Sequence, residues 1–273
     1  MSQELTIETG HAERQYWKDL WRYRELFLIL TWRDVAVQYK QTVVGILWAV
    51  LRPLLTMAAF TIVFSKIAKL PAEGGAPYAL MVFAAMLPWQ LFATSLAATA
   101  NSLVANSNLV SKVYFPRVIV PTATLGVAIV DIAISFVLLC GMMCWYLYLP
   151  PIQVLMVLPL TLLAGLVALG PGLILCALNV TYRDFRIIVP FITQFGLYIS
   201  PVGFSSSIVP EKWHLLYECN PMVGVIDGFR WAILGTIDFP GRALLISSIC
   251  AFVFLLLGIK IFRRTERTFA DVI

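Results

Sequence analysis

The chain has 273 residues, of which 60% are hydrophobic and only 13% charged. Soluble domains are about half apolar and about a quarter charged, so both figures point to a bilayer and away from an ordinary soluble protein. The formal charge of +5 is scattered through short gaps between apolar runs. That placement speaks for membrane topology and against a nucleic-acid surface, where basic residues would cluster.

In chain order, the N-terminal segment 1–25 alternates charges and aromatics without an apolar core, so no cleaved signal peptide is expected. Residues 13–27 read as an amphipathic helix. Tyr16, Leu20, Tyr23 and Phe27 share one face, and Arg14, Lys18, Arg22 and Glu25 the other. Such a helix lies in the membrane interface, with Trp17 and Trp21 at headgroup depth. Residues 31–42 then set Arg33, Asp34, Gln38, Lys40 and Gln41 beside Trp32, Val35 and Tyr39, and lead directly into the first apolar run. That mixture suits a helix half in lipid and half docked on a soluble partner.

Between Arg117 and Arg183 the sequence has no Lys or Arg and a single acid, Asp131. One helix needs about 20 residues to cross a core of about 30 Å, so this stretch is too long for one span and holds two, turned by Pro150-Pro151. Without barrel-type alternation the spans must be helices, because backbone groups cannot go unpaired in lipid. The same logic places spans at about 46–68, 78–104, 118–148, 152–179, 188–204 and 242–262. The expected fold class is therefore an all-α integral membrane protein with six transmembrane helices and an N-terminal interface helix.

The expected organisation is a cytoplasmic N-terminal region (1–45), a transmembrane domain (46–262) and a cytoplasmic tail (263–273). An even number of spans puts both termini on one side. Fifteen Lys and Arg residues fall on that face and five on the other, so both termini are expected in the cytoplasm. Residues 205–241 are the only long piece outside. Its apolar stretches 211–218 and 222–235, separated by Asn220-Pro221, read as a re-entrant helix pair, with a surface loop as the alternative.

Several segments resemble, in order, the permease subunits of polysaccharide-exporting ABC transporters. They are TWRDVAVQYKQTVVGILWAVLRP (31–53), FPRVIVP (115–121), LNVTYRDFR (178–186), SPV (200–202) and NPMVGVIDGFRWAILG (220–235). The resemblance implies an ATP-driven exporter of a lipid-linked polysaccharide, O-antigen first, in a bacterial inner membrane. It also implies two copies of this chain with two ATP-binding subunits, and contacts to those subunits through short cytoplasmic helices. Arg33, Asp34, Tyr39, Lys40, Tyr182, Arg183 and Asp184 are the coupling candidates. The loop 105–117 corresponds to a gate helix, where Lys112 and Arg117 suit a phosphate headgroup, Arg as a fork and Lys as a point charge.

No enzymatic activity is expected of the chain itself. A P-loop needs G-x-x-x-x-G-K-[ST], and the sequence has no Gly-Lys pair, so ATP and Mg are expected on the partner subunit. No cofactor or metal is expected, since the five cysteines have no metal-ligand spacing.

Trp89, Phe92, Tyr198, Phe204, Phe229 and Trp231 are candidates for a sugar path, with interfacial anchoring as the plainer reading. Asp131, deep in a span, calls for a Ser, Thr, Tyr or Arg partner such as Arg52, and suits a helix–helix tie. Asp227 and Arg230 stand three apart and can pair. Teichoic acid, capsule, lipid or drug export through the same fold remains an alternative. A proton-coupled secondary transporter is a weaker one, for want of further buried acids or an internal repeat. A membrane-embedded glycan enzyme is weaker still. His214, flanked by Glu211 and Glu218, is the only His near acids outside the N-terminal tail.

Overall fold

The second apolar run becomes the axis of the molecule. In the computed structural model, which describes residues 12–39, 43–72, 74–113, 115–182, 184–266 and 269, Tyr78–Ala105 forms a single helix of 28 residues, α4, buried along nearly its whole length. Small and polar residues (Ala84, Ala85, Ser95, Thr99, Ala100, Ser102) let its neighbours come close. Before it lie α1 (Ala12–Arg22), α2 (Arg24–Tyr39) and α3 (Val43–Phe60), the last continued by a π-helical stretch, Thr61–Ile67. After it come α5 (Ser107–Lys112), α6 (Ile119–Ala123), α7 (Leu125–Trp145), a 3₁₀ turn (Ile152–Met156) and α8 (Val157–Thr181). The chain ends with α9 (Phe185–Ile199), α10 (Glu211–Glu218), α11 (Pro221–Leu234) and α12 (Gly241–Thr265). Every regular element among the described residues is helical.

Five helices are long and apolar enough to cross a membrane: 47–67, 78–105, 119–145, 152–181 and 241–265. They match five of the expected spans within a few residues. The expected span 188–204 is not among the five. Its helix begins at Phe185 and stops at Ile199, because Pro201 drives Ser200 to extended backbone (ψ 153°). Its 15 residues rise about 22 Å, short of a hydrocarbon core of about 30 Å. The chain nevertheless continues in the same direction. Gly196 packs on Trp89, and Tyr78 Oη donates to the Gly203 carbonyl.

The stretches 13–27 and 31–42 fall, over their described residues, on α1 and α2, which meet at Tyr23. Tyr23 interrupts the helix only locally, since Tyr23 N still donates to Asp19 O (2.9 Å) and Phe27 N to Tyr23 O (3.3 Å). The helical path therefore runs from Ala12 to Tyr39.

α7, α8 and α11 pack around α4, and α12 packs on α8 and α11. Glycines permit backbone-to-backbone contact in this frame. A Cβ on Gly170 would lie 2.6 Å from the Phe254 carbonyl carbon, and one on Gly224 would lie 2.3 Å from the Ala243 oxygen. α11 begins with Asn220, whose side chain accepts from Met222 N (3.0 Å), followed by Pro221 at the first helical position. It ends at Gly235, whose φ of +64° makes the left-handed cap. Nearly all of its side chains are buried. The segment expected to be re-entrant forms two helices, the largely exposed α10 and the buried α11.

Arg230 of α11 is fully buried (0% exposed). It donates to the carbonyls of Phe204 (2.9 Å) and Val202 (3.2 Å), holding the non-helical chain that follows α9. Asp227 accepts from the Ser206 hydroxyl (2.7 and 2.5 Å). Both residues serve structure. Glu218 of α10 is gripped at both oxygens by Arg242 of α12 (2.8 Å each).

Candidate functional site

The functional candidates gather where α4 ends, at the end of the bundle that carries α1, the α5–α6 connection and the end of α12. Tyr16 Oη donates to Glu266 Oε2 (3.1 Å), and the Arg117 backbone N–H donates to Glu266 Oε1 (2.8 Å). The Arg117 guanidinium also donates to the Glu266 carbonyl (2.5 Å). Arg263 lies over the Tyr16 ring, 4.7 Å from its centre. Glu266 thus clasps the first helix, the chain after α5 and the last helix together.

Burial raises the Glu266 carboxyl above the usual carboxylate range, against the Arg117 amide, the Tyr16 hydroxyl and the two arginines. Burial, then Glu266, holds the Tyr16 phenol well above its ordinary value. The predicted apolar face of Tyr16, Leu20, Tyr23 and Phe27 packs against Val118, Ile119, Leu173 and Phe262. Lys18, Trp21, Arg22 and Glu25 are exposed, while the side chains of Arg14 and Trp17 lie outside the described set.

Of the expected coupling residues, Arg33 and Asp34 form an exposed ion pair (2.7 Å). Arg33 Nη2 also donates to Asn106 Oδ1 (2.7 Å), at the corner between α4 and α5. The expected coupling helix and the expected gate helix therefore touch. Tyr182 and Asp184 are exposed in the turn between α8 and α9. Lys40 and Arg183 lie outside the described residues. In the 105–117 segment a helix does form, α5, with Lys112 exposed at its end. Arg117 is instead half-buried and committed to Glu266.

Tyr39 points inward. Its hydroxyl donates to Asp131 Oδ1, and Gln38 Nε2 donates to the same oxygen (3.2 Å). Burial, and then the bond to Asp131, holds the Tyr39 phenol well above its usual range, so it remains a donor. Asp131 is therefore a tie between α2 and α7, and Arg52 is not its partner. Gln38 and Asp131 line a cavity of about 580 Å³ between α2, α3, α4 and α7. Trp48, Arg52, Gln90, Asn101 and Ser135 complete its notable lining. Gln90, Thr94, Ala97 and Asn101 follow helical spacing along one stripe of α4, a polar signal within an apolar span that periodicity alone could have revealed.

The six candidate sugar-path aromatics do not form one surface. Phe229 is fully buried (0% exposed), and Trp89 and Phe92 are packed in the core with ring centres 5.3 Å apart. Those three have little or no surface to offer. Tyr198 is 61% exposed and stacks on Phe60 at 6.3 Å. Trp231 and Phe204 are half-buried, Trp231 meeting Phe239 edge-on at 4.9 Å. His214 holds the Val209 carbonyl (2.6 Å), and Glu218 is taken by Arg242. No cluster of metal-binding side chains occurs among the described residues.

Membrane-length apolar helices around a buried axis, with a charged helical shoulder at one end and a polar cavity beside it, define a multi-pass membrane protein. The sequence profile of the ABC-2 type transporter family matches residues 25–234, and the chain belongs to that family. Permeases of this family are membrane-bound transport subunits, generally without an ATPase of their own, and work with a partner ATP-binding subunit.

Among its relatives is the O-antigen export system permease protein RfbA of Klebsiella pneumoniae. It is 24% identical over 257 residues, covering 91% of this chain and 95% of that protein. The protein of the same name from Myxococcus xanthus is 27% identical over 222 residues, covering 78% and 82%. The inner membrane transport permease YadH of Escherichia coli K12 is 33% identical over 87 residues, covering 32% and 34%.

Proposed function

We propose that this chain is the permease subunit of an ATP-driven exporter that moves a lipid-linked polysaccharide, O-antigen first, out across a bacterial inner membrane. The observation that carries the reading is near full-length likeness to proteins named as O-antigen export permeases. The chain crosses the membrane six times. α9 and the extended residues after it make the fifth crossing, between the turn at Tyr182 and Gly203 beside Tyr78. Both termini face the cytoplasm, in keeping with the clasp at Glu266 that joins α1 to α12.

Two copies of the chain form the pore, and two ATP-binding subunits dock on α2 and on the turn around Asp184, holding ATP and Mg. Closure of the ATPases pushes on α2. The Arg33–Asn106 bond transmits that push to α5, where Lys112 meets the (pyro)phosphate headgroup as it enters. Arg117 serves chiefly to anchor that corner.

The test is removal of the gene from the cell of origin, with plasmid-borne rescue. Surface glycan is expected to vanish while lipid-linked glycan builds up on the inner leaflet, and wild-type chain restores export only when the ATPase is present. Unchanged surface glycan, or rescue without the ATPase, overturns the proposal. Loss of a different surface polymer redirects the substrate to teichoic acid or capsule.

A further inference from the structure

The cavity between α2, α3, α4 and α7 has a composition that a helix–helix seam does not require. Its volume of about 580 Å³ falls within the range of about 300–1,000 Å³ typical of small-ligand sites. It starts near Asn101, close to the end of α4, and reaches Gln90, about 22 Å deeper than Ala105 along the helix. Ionisable and amide groups at such depth are costly unless they are paired or meet a ligand. Three lining groups, the half-buried Asp131 and Gln90 and the exposed Arg52, have unused capacity among the described residues. Arg52 forms no ion pair and its guanidinium no hydrogen bond, although Asp131 lines the same space. Asp131 spends one oxygen on Gln38 and Tyr39, and its second oxygen has no donor. The Gln90 amide has no partner at either end. Trp48, one turn before Arg52 and 56% exposed, adds a flat apolar face to the same wall.

A lone guanidinium, a carboxylate oxygen, a carboxamide and an indole face form a set that suits a phosphorylated sugar. Arg takes a phosphate through a fork of N–H donors. Carboxylate and amide oxygens accept sugar hydroxyls, amide N–H groups donate to them, and the indole covers an apolar sugar face. A phospholipid headgroup shares the phosphate and a few donors, glycerol hydroxyls or an ammonium, but offers no ring face for the indole.

We infer that this cavity binds the phosphosugar junction of the transported lipid-linked glycan, with Arg52 on the phosphate and Asp131 and Gln90 on sugar hydroxyls, while Asn101, held by Ala97 O (2.9 Å) and Asn179 Nδ2 (3.1 Å), fixes the wall. The inference rests on the proposed function and goes further by locating the substrate site. It also connects that site to energy coupling. Gln38 and Tyr39, which hold Asp131, sit on the same helix as Arg33, so a sugar hydroxyl arriving at Asp131 is felt by α2.

The experiment uses the permease assembled with its ATP-binding partner in phosphatidylcholine nanodiscs. The probe is radiolabelled farnesyl diphosphate carrying N-acetylglucosamine, with sugar-free farnesyl diphosphate and phosphatidylglycerol as competitors. Saturable binding is expected, weakened about ten- to hundredfold in Arg52→Gln, the weight of one charge-assisted contact. Arg52→Lys is expected to lose less. Gln90→Leu and Asp131→Asn are expected to weaken the sugar-bearing probe while leaving sugar-free farnesyl diphosphate unaffected. Should Arg52→Gln fail to assemble, Arg52→Lys and Gln90→Leu decide the matter. Wild-type affinity in these variants overturns the inference. So does the absence of probe binding, or competition by phosphatidylglycerol equal to that of the probe. None of these results touches the proposed function, which stands or falls on glycan export in cells.

Discussion

Replacing Arg230 by Met removes the guanidinium that closes off the chain after α9, while keeping most of the aliphatic stem that packs inside the bundle. Two charge-assisted hydrogen bonds disappear, to Phe204 O (2.9 Å) and Val202 O (3.2 Å). Each is worth about 1.5–3 kcal/mol. Arg230 is also a buried cation that acts, with Asp227, on the buried Tyr217 hydroxyl, and removing one member of a buried charged group costs about 3–5 kcal/mol. The two routes agree on a loss of about 3–5 kcal/mol. Equilibrium unfolding in mixed sodium dodecyl sulfate micelles, followed by tryptophan fluorescence, reads that loss directly. Arg230→Lys, able to reach one carbonyl but not both, is expected to fall between Met and wild type. An Arg230→Met loss of less than about 1 kcal/mol would refute the reasoning, since a buried guanidinium cannot leave two carbonyls unserved so cheaply.

Other outcomes follow from the same geometry. Gly170→Ala places a methyl group 2.6 Å from the Phe254 backbone and is expected to cost about 1–3 kcal/mol in the same unfolding assay, whereas Gly141→Ala, with nothing within 4 Å, is expected to be neutral or slightly stabilising. Because burial raises the Glu266 carboxyl, the folded chain holds that proton more tightly than the unfolded chain. Its contribution to stability is therefore fully present below the ordinary carboxylate range and declines as pH rises through the raised folded value. Thermal unfolding measured across the mildly acidic range is expected to show that decline in wild type and a flatter profile in Glu266→Gln. Arg33→Ala, which separates α2 from Asn106, is expected to insert and assemble normally yet lower glycan export several-fold, scored by surface immunoblot; unchanged export would remove Arg33 from the coupling path.

The long apolar runs were legible because their cause is local: a hydrocarbon core imposes length, and a deficit of charge all the way from Arg117 to Arg183 admits few arrangements. The amphipathic face of Tyr16, Leu20, Tyr23 and Phe27 was legible for the same reason, through helical spacing alone. The end of α9 was harder. Pro201 announces a break at Ser200, yet only the Arg230 side chain, reaching back from α11, shows that the chain continues as extended backbone held by a cation. Site residues were least legible. Tyr39 looks interfacial by sequence but turns to Asp131, and Arg117 looks free but answers Glu266 at the far end of the chain. Phe229 resembles any membrane aromatic until its burial is known. These assignments depend on which helices meet, and one sequence does not carry that information.

The glycine contacts between α8 and α12 have a mechanical corollary. Where two backbones touch with no side chain interposed, little slack remains for sliding, so α4, α8, α11 and α12 must travel as one stiff block in any working cycle. Flexing is left to α3 and α9, which turn most of their apolar surface outward and have a π-helical stretch in one case and a proline-terminated end in the other. A spectroscopic label pair within the block should keep its spacing through a turnover. A pair joining the block to α3 or α9 should register the stroke.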